Sequence, residues 1–208
     1  HEAGHEWWGN YISVADWSDF WIHEGICTYA ESMYIEEKFG LESAKNFIDE
    51  RFKKNITNTA PIVPESNSNA NLESGNDVYY KGAHALHMLR YIIGKETLWA
   101  SLKEYLQMPK ELPDNQTSTD EFISLIEENS GMKLDWFFNQ YFFKKELPTL
   151  KKLEKTINNK KYVDLWWEEV DFKMPVEINY FSFDGKRYKK LDLDNKPKRF
   201  FIPSDSKL

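Results

Sequence analysis

The first ten residues, HEAGHEWWGN, carry two histidines four apart, with a glutamate directly after the first. On an α-helix four residues advance about 400° and rise about 6 Å, so His1 and His5 project from one face and their ring nitrogens can converge on one ion. Zinc takes imidazole nitrogen at about 2.0–2.1 Å, a reach this spacing supplies. Glu2 lies about 100° round the helix from His1, outside the coordination sphere but close enough to reach a water held there. A catalytic zinc needs a third protein ligand and a fourth position left for water. Eighteen residues separate His5 from Glu24, whose carboxylate can fold back as that third ligand. Glu31 follows seven residues later, two turns along the same face, where it could accept a proton from a ligating imidazole and fix its tautomer. The plainer alternatives are an exposed helix with two polar histidines and a solvated Glu31.

These side chains need elements to carry them. The segment IHEGICTYAESMYIEEKFG reads as a helix bearing Glu24 and Glu31 and ending at Gly40, a residue suited to a left-handed cap. A second helix is expected over residues 41–55, where Ala44, Phe47, Ile48 and Phe52 recur on one side. Residues 57–77 are rich in Asn, Ser and Pro and form a loop longer than an ordinary connection, hence functional or mobile. Leu86, Leu89, Arg90 and Ile93 fit a helix that stops at Gly94, and further helices are expected over 95–107, 119–129 and 134–144. Ser118 and Glu121 form a capping box ahead of Phe122, Leu125 and Ile126. Beyond Pro148 the period changes to two, in LKKLEKT, KYVDLWW, PVEINYF and KRFFIP, with Asp184-Gly185 as a turn between strands.

The fold class is therefore α+β, with a helical part over residues 1–147 and a small antiparallel β region over 148–208, which is either a small sheet or the start of a sandwich. Residues 1–147 hold 13 Lys and Arg against 24 Asp and Glu, a balance of −11, and residues 148–208 hold 14 against 10, a balance of +4. No basic face marks the first part for nucleic acid, and the lysine pairs of the second suit solvated strand edges. No run of 18 uncharged apolar residues is present, so no membrane span is expected. Cys27 is the single cysteine. It excludes internal disulfides and paired-cysteine zinc sites, fits a small buried hydrophobe, and leaves cytoplasm and periplasm or cell exterior equally open. His84 and His87, three apart, could pair on a metal, but without a third ligand in view a surface or core role is expected.

HEAGHEWWGN, followed by DFWIHEG and TYAE, resembles the zinc-binding core of the membrane alanyl aminopeptidase family of gluzincin metallopeptidases. In that family HExxH is followed, after eighteen residues, by a ligand glutamate, with Trp-x-Gly-Asn after the second histidine; His1, His5, Glu24 and Trp7 to Asn10 match this pattern. The resemblance implies one Zn²⁺ per chain on His1, His5 and Glu24, with Glu2 as general base and Glu31 and Asp19 supporting the ligands. VYYKGAHALHML resembles the segment in which a tyrosine three residues ahead of a glycine stabilises the transition state, here Tyr79 ahead of Gly82, with Tyr80 as the next candidate. LDWFFNQYF resembles a later helix of the family and MPVEINYF the start of its β-sandwich.

On this resemblance residues 1–147 are the helical C-terminal part of a thermolysin-like catalytic domain, and the substrate is a peptide with a free N-terminus. Two positions depart from the pattern. His23 stands where relatives have Asn, and the upstream Gly-Ala-Met-Glu-Asn type motif that holds the substrate amine is not in the chain. An endopeptidase, or a catalytically silent scaffold, therefore stays open beside the aminopeptidase, as does association through the apolar face of the first helix.

Overall fold

Apolar side chains recur along residues 21–39 at helical spacing, and the longest helix forms there. The structure, a computed structural model, describes residues 1–110, 113–182 and 185–202. The chain divides into two units, His1–Glu146 and Leu147–Leu208. In the first, a 3-10 turn (Glu2–Glu6) and a two-residue strand β1 (Ser13–Val14) lead through a second 3-10 turn (Trp17–Asp19) into α1 (Trp21–Phe39). Helices α2 (Leu41–Phe47), α3 (Ala70–Glu73), α4 (Tyr80–Ile93), α5 (Lys95–Gln107), α6 (Thr119–Ser130) and α7 (Asp135–Tyr141) follow, and β2 (Gln116–Thr117) pairs in parallel with β1.

Helix α1 packs on α2 and α4, and α5 packs on α6. The core is aromatic: Trp21 is fully buried, with its ring edge-on to Phe122 at 5.2 Å and to Phe142 at 4.8 Å. Its indole N–H donates to Thr119 Oγ1 at 2.7 Å, which satisfies the one polar atom of this buried ring. Glu36 of α1 pins three helices, accepting from Arg90 of α4 through both of its oxygens, at 2.5 and 2.9 Å, and from Lys95 of α5 at 2.9 Å.

Several local expectations need correction. Residues 2–6 wind as a 3-10 helix, closed by Gly4 N–H donating to the His1 carbonyl at 2.7 Å, because a run this short takes the tighter winding. Gly40 (φ 86°, ψ 169°) ends its helix in an extended positive-φ conformation rather than a left-handed cap, since the chain turns directly into another helix; Gly94 (φ 92°, ψ 154°), where the next long helix stops as expected, has the same conformation for the same reason. The helix after Gly40 changes winding at Ile48–Phe52, a π turn, before a last 3-10 turn at Lys53–Asn55. Only half of the capping box forms: Ser118 Oγ accepts from Glu121 N–H at 3.3 Å, while the Glu121 carboxylate takes the buried Thr117 hydroxyl. The long loop is tied down by Asp77, which accepts from Thr57 N–H at 2.7 Å, Thr57 Oγ1 at 3.0 Å and Thr59 N–H at 3.3 Å.

In the second unit β3 (Leu150–Ile157), β4 (Lys160–Trp167) and β7 (Lys198–Ile202) form one antiparallel sheet, and β5 (Val176–Ser182) pairs antiparallel with β6 (Gly185–Leu191). Asn158 (φ 50°) and Asn159 (φ 59°) make the β3–β4 turn, the left-handed pair that a two-residue hairpin demands. Strand β6 was not expected, and Asp184 of the expected Asp184-Gly185 turn lies outside the described residues. Asp164 is buried at the centre of its sheet, bonded to Arg199 Nε at 2.8 Å and Lys155 Nζ at 2.8 Å on the flanking strands.

Candidate metal centre

Helix α1 delivers Glu24 from its first turn and Glu31 two turns on, both facing the residue 2–6 turn. Glu24 Oε2 lies 3.1 Å from His1 Nε2 and 3.4 Å from His5 Nε2. The donor atoms of these three residues lie within 4.8 Å of one another, the one such cluster of three or more His, Cys, Asp or Glu among the described residues. Ligands placed tetrahedrally at about 2.0–2.1 Å from zinc sit about 3.4 Å apart, so the donor set fits that ion. The imidazoles stand edge to face, with centroids 4.9 Å apart, and this lets both Nε2 atoms face one carboxylate oxygen despite the 3-10 winding.

Each imidazole is held from behind at its other nitrogen. His1 Nδ1 is 3.1 Å from Glu31 Oε1 and 3.4 Å from Thr28 Oγ1. His5 Nδ1 is 3.1 Å from the Trp8 carbonyl and 3.5 Å from Cys27 Sγ. A carboxylate or carbonyl on Nδ1 fixes the tautomer that leaves Nε2 free to ligate. Asp19 does not take this place: it accepts from Thr119 Oγ1 at 2.5 Å, and no hydrogen bond joins it to either imidazole among the described residues. Burial pushes the Asp19 carboxyl upward, opposed by that hydrogen bond. The Trp8 carbonyl carries no side-chain signal. Thr28, one turn after Glu24, was legible from spacing and was missed.

Electrostatics follow burial. Burial raises the Glu24 and Glu31 carboxyls above the ordinary value; His5 opposes this at Glu24, and the Arg51 guanidinium opposes it at Glu31. Burial pushes the Cys27 thiol up to about 12, so it is a neutral packing group, and a side chain at Gly4 would meet its sulfur at 2.9 Å. His23 turns away from the ligands; its Nε2 accepts from Val14 N–H at 3.1 Å, and burial lowers it to about 4, the neutral state this acceptor role requires. Burial likewise holds His84 and His87, whose rings lie 6.3 Å apart, at about 4.

Glu2 and Tyr79 open onto the same cavity of about 340 Å³, lined also by His1, Thr28, Glu31, Arg51 and Tyr80. The Tyr79 ring is 6.0 Å from that of His1. Its phenol is raised above the usual value by burial and then by Glu24, so it keeps its proton and can donate. A crossing of two glycines brings these groups together: a Cβ at Gly25 would lie 3.0 Å from the Val78 carbonyl and 3.3 Å from Gly82 Cα. Only bare backbone at both positions lets α1 and α4 approach so closely beside Glu24 and Tyr79.

The chain matches the peptidase family M1 domain over residues 1–141. Glutamyl aminopeptidase of Bitis rhinoceros is 26% identical over 178 residues, covering 78% of this chain and 18% of that protein. Endoplasmic reticulum aminopeptidase 2 of Bos taurus is 31% identical over 115 residues, covering 51% of this chain and 12% of that one. Aminopeptidase A of Legionella pneumophila, solved in complex with aspartic acid, superposes with a TM-score of 0.74 at 18% identity, over 99% of this chain and 24% of that one. The M1 zinc metallopeptidase of Deinococcus radiodurans gives a TM-score of 0.60 at 23% identity, over 72% and 33%. The chain thus spans less than a fifth of the length of these two curated relatives.

Proposed function

The chain belongs to peptidase family M1, and from that premise we propose that the protein it represents is a zinc-dependent aminopeptidase that hydrolyses the first peptide bond of peptides with a free N-terminus. The observation that carries this reading is the placement of Glu24 Oε2 at 3.1 and 3.4 Å from the Nε2 atoms of His1 and His5. His1, His5 and Glu24 would hold the ion, and Glu31 and the Trp8 carbonyl would keep both imidazoles in the ligating tautomer. When bound, zinc supplies Lewis acidity, lowering the pKa of water towards about 7 and polarising the scissile carbonyl. Glu2 takes the proton of the attacking water and returns it to the leaving amine. Tyr79, protonated at neutral pH, donates a hydrogen bond to the carbonyl oxygen as charge develops on it.

The test uses the full-length protein with an amino-acid anilide as substrate. Glu2→Gln should lower kcat by about 10²–10⁴-fold, the usual contribution of a positioned acid–base group. Tyr79→Phe should lower it by about 10²–10³-fold. Both variants should keep zinc at one per chain by elemental analysis. An undiminished rate for zinc-loaded Glu2→Gln removes the base assignment. Loss of zinc from Tyr79→Phe makes that residue structural. Equal cleavage of N-terminally blocked peptides makes the protein an endopeptidase instead.

A further inference from the structure

The turn at Ile48–Phe52 is π-helical, a rare winding that recurs at functional sites, and Arg51 sits within it. The other charged residues of this turn are paired along the helix: Asp49 with Lys53 at 2.6 Å, and Glu50 with Lys54. Arg51 is not. Among the described residues its guanidinium makes no ion pair within 4.0 Å and no hydrogen bond, although its charge acts on Glu31 across the cavity. Instead it reaches the wall of the catalytic cavity, where it is the one permanently cationic lining group, facing the same space as Glu2, Glu31 and Tyr79. The guanidinium lies 5.9 Å from the Tyr80 ring centroid, packed over an aromatic face. Such packing orients a guanidinium while leaving N–H groups of its planar fork free to donate.

Of the lining side chains Glu2 and Glu31 are acidic and Arg51 alone is permanently cationic, so a carboxylate on an entering peptide finds its complementary side-chain charge here. Resting on the peptidase reading above, we infer that Arg51 is a specificity-determining residue that binds a carboxylate carried by the peptide substrate. That carboxylate is either the C-terminus of a short peptide or an acidic side chain beyond the cleaved residue. Both present the same planar pair of oxygens to the fork.

The full-length protein tests this with two substrate pairs that differ in one charge: Ala-Ala-Ala as free acid and as C-terminal amide, and Ala-Glu-Ala amide against Ala-Gln-Ala amide. The wild type should prefer the charged member of at least one pair by about tenfold in kcat/KM, the scale of a charge-assisted hydrogen bond. The pair that shows the preference identifies the source of the carboxylate. Arg51→Gln should bring that ratio close to one, and Arg51→Lys should restore part of it. Damage to the fold would slow both members alike and leave the ratio where it was. A wild type that cleaves both members of both pairs equally, or a ratio that survives Arg51→Gln, overturns the inference while leaving the peptidase reading intact. If none of the four peptides is cleaved by zinc-loaded protein, the peptidase reading fails and takes this inference with it.

Discussion

Glu36 ties three helices of the helical unit together, so a single substitution there tests how that unit is held. Its side chain is only 10% accessible, and it accepts from Arg90 through both oxygens and from Lys95 as well, which joins α1, α4 and α5. Arg90 in particular holds the Glu36 carboxyl at about 2 instead of 4.5. That difference corresponds to about 3 kcal/mol of folding stability, in line with the roughly 3–5 kcal/mol lost when one partner of a buried pair is removed. The folded-state pKa is the lower one, so the contribution is complete above the unfolded value of 4.5 and drains away as the pH falls towards 2. Glu36→Gln should therefore cost about 3 kcal/mol at neutral pH, and the gap to wild type should shrink to about half near pH 3. Urea titrations of the 208-residue chain and its variant at the two pH values read both quantities directly. A neutral-pH cost below about 1 kcal/mol, or a gap of the same size at both pH values, would refute the account. Since α1 carries Glu24 and α4 follows directly on Tyr79, the same pin fixes the separation of a proposed ligand and a proposed donor.

Two further outcomes follow from the geometry. Glu31→Gln removes the charged acceptor on His1 Nδ1 and should weaken zinc binding by about 10–100-fold, measured by competition with a chromogenic chelator; an unchanged affinity would mean that Thr28, 3.4 Å from the same nitrogen, suffices. Gly25→Ala forces a methyl to within 3.0 Å of the Val78 carbonyl and should cost about 1–3 kcal/mol in a denaturant titration, whereas a neutral result would show that α1 and α4 can part freely.

Much of the helical organisation was legible because apolar period and punctuation agree: α1, α4 and α5 run close to where Gly40 and Gly94 and the buried stripes indicate. The misses share a cause. The capping box formed only in part because the Glu121 carboxylate is taken by the Thr117 hydroxyl, and neither that competition, nor the π turn that carries Arg51, nor the tight winding of residues 2–6 leaves a periodic trace. Strand β6 escaped because GKRYKKL is too polar to show alternation, yet it pairs along its full length with β5.

The residue types and spacing of His1, Glu2, His5 and Glu24 by themselves determined which chemistry the chain could support, because only a few side chains ligate zinc and a helix turn fixes which of them can share a face. The partners of those residues were decided by the tertiary structure. It put Glu31 and the Trp8 carbonyl behind the imidazoles, turned Asp19 to Thr119 and His23 to Val14, and drew Arg51 to the cavity. Such choices depend on distances between elements set by packing, above all the bare-backbone contact of Gly25 with Gly82, and no sequence spacing encodes a distance between two helices.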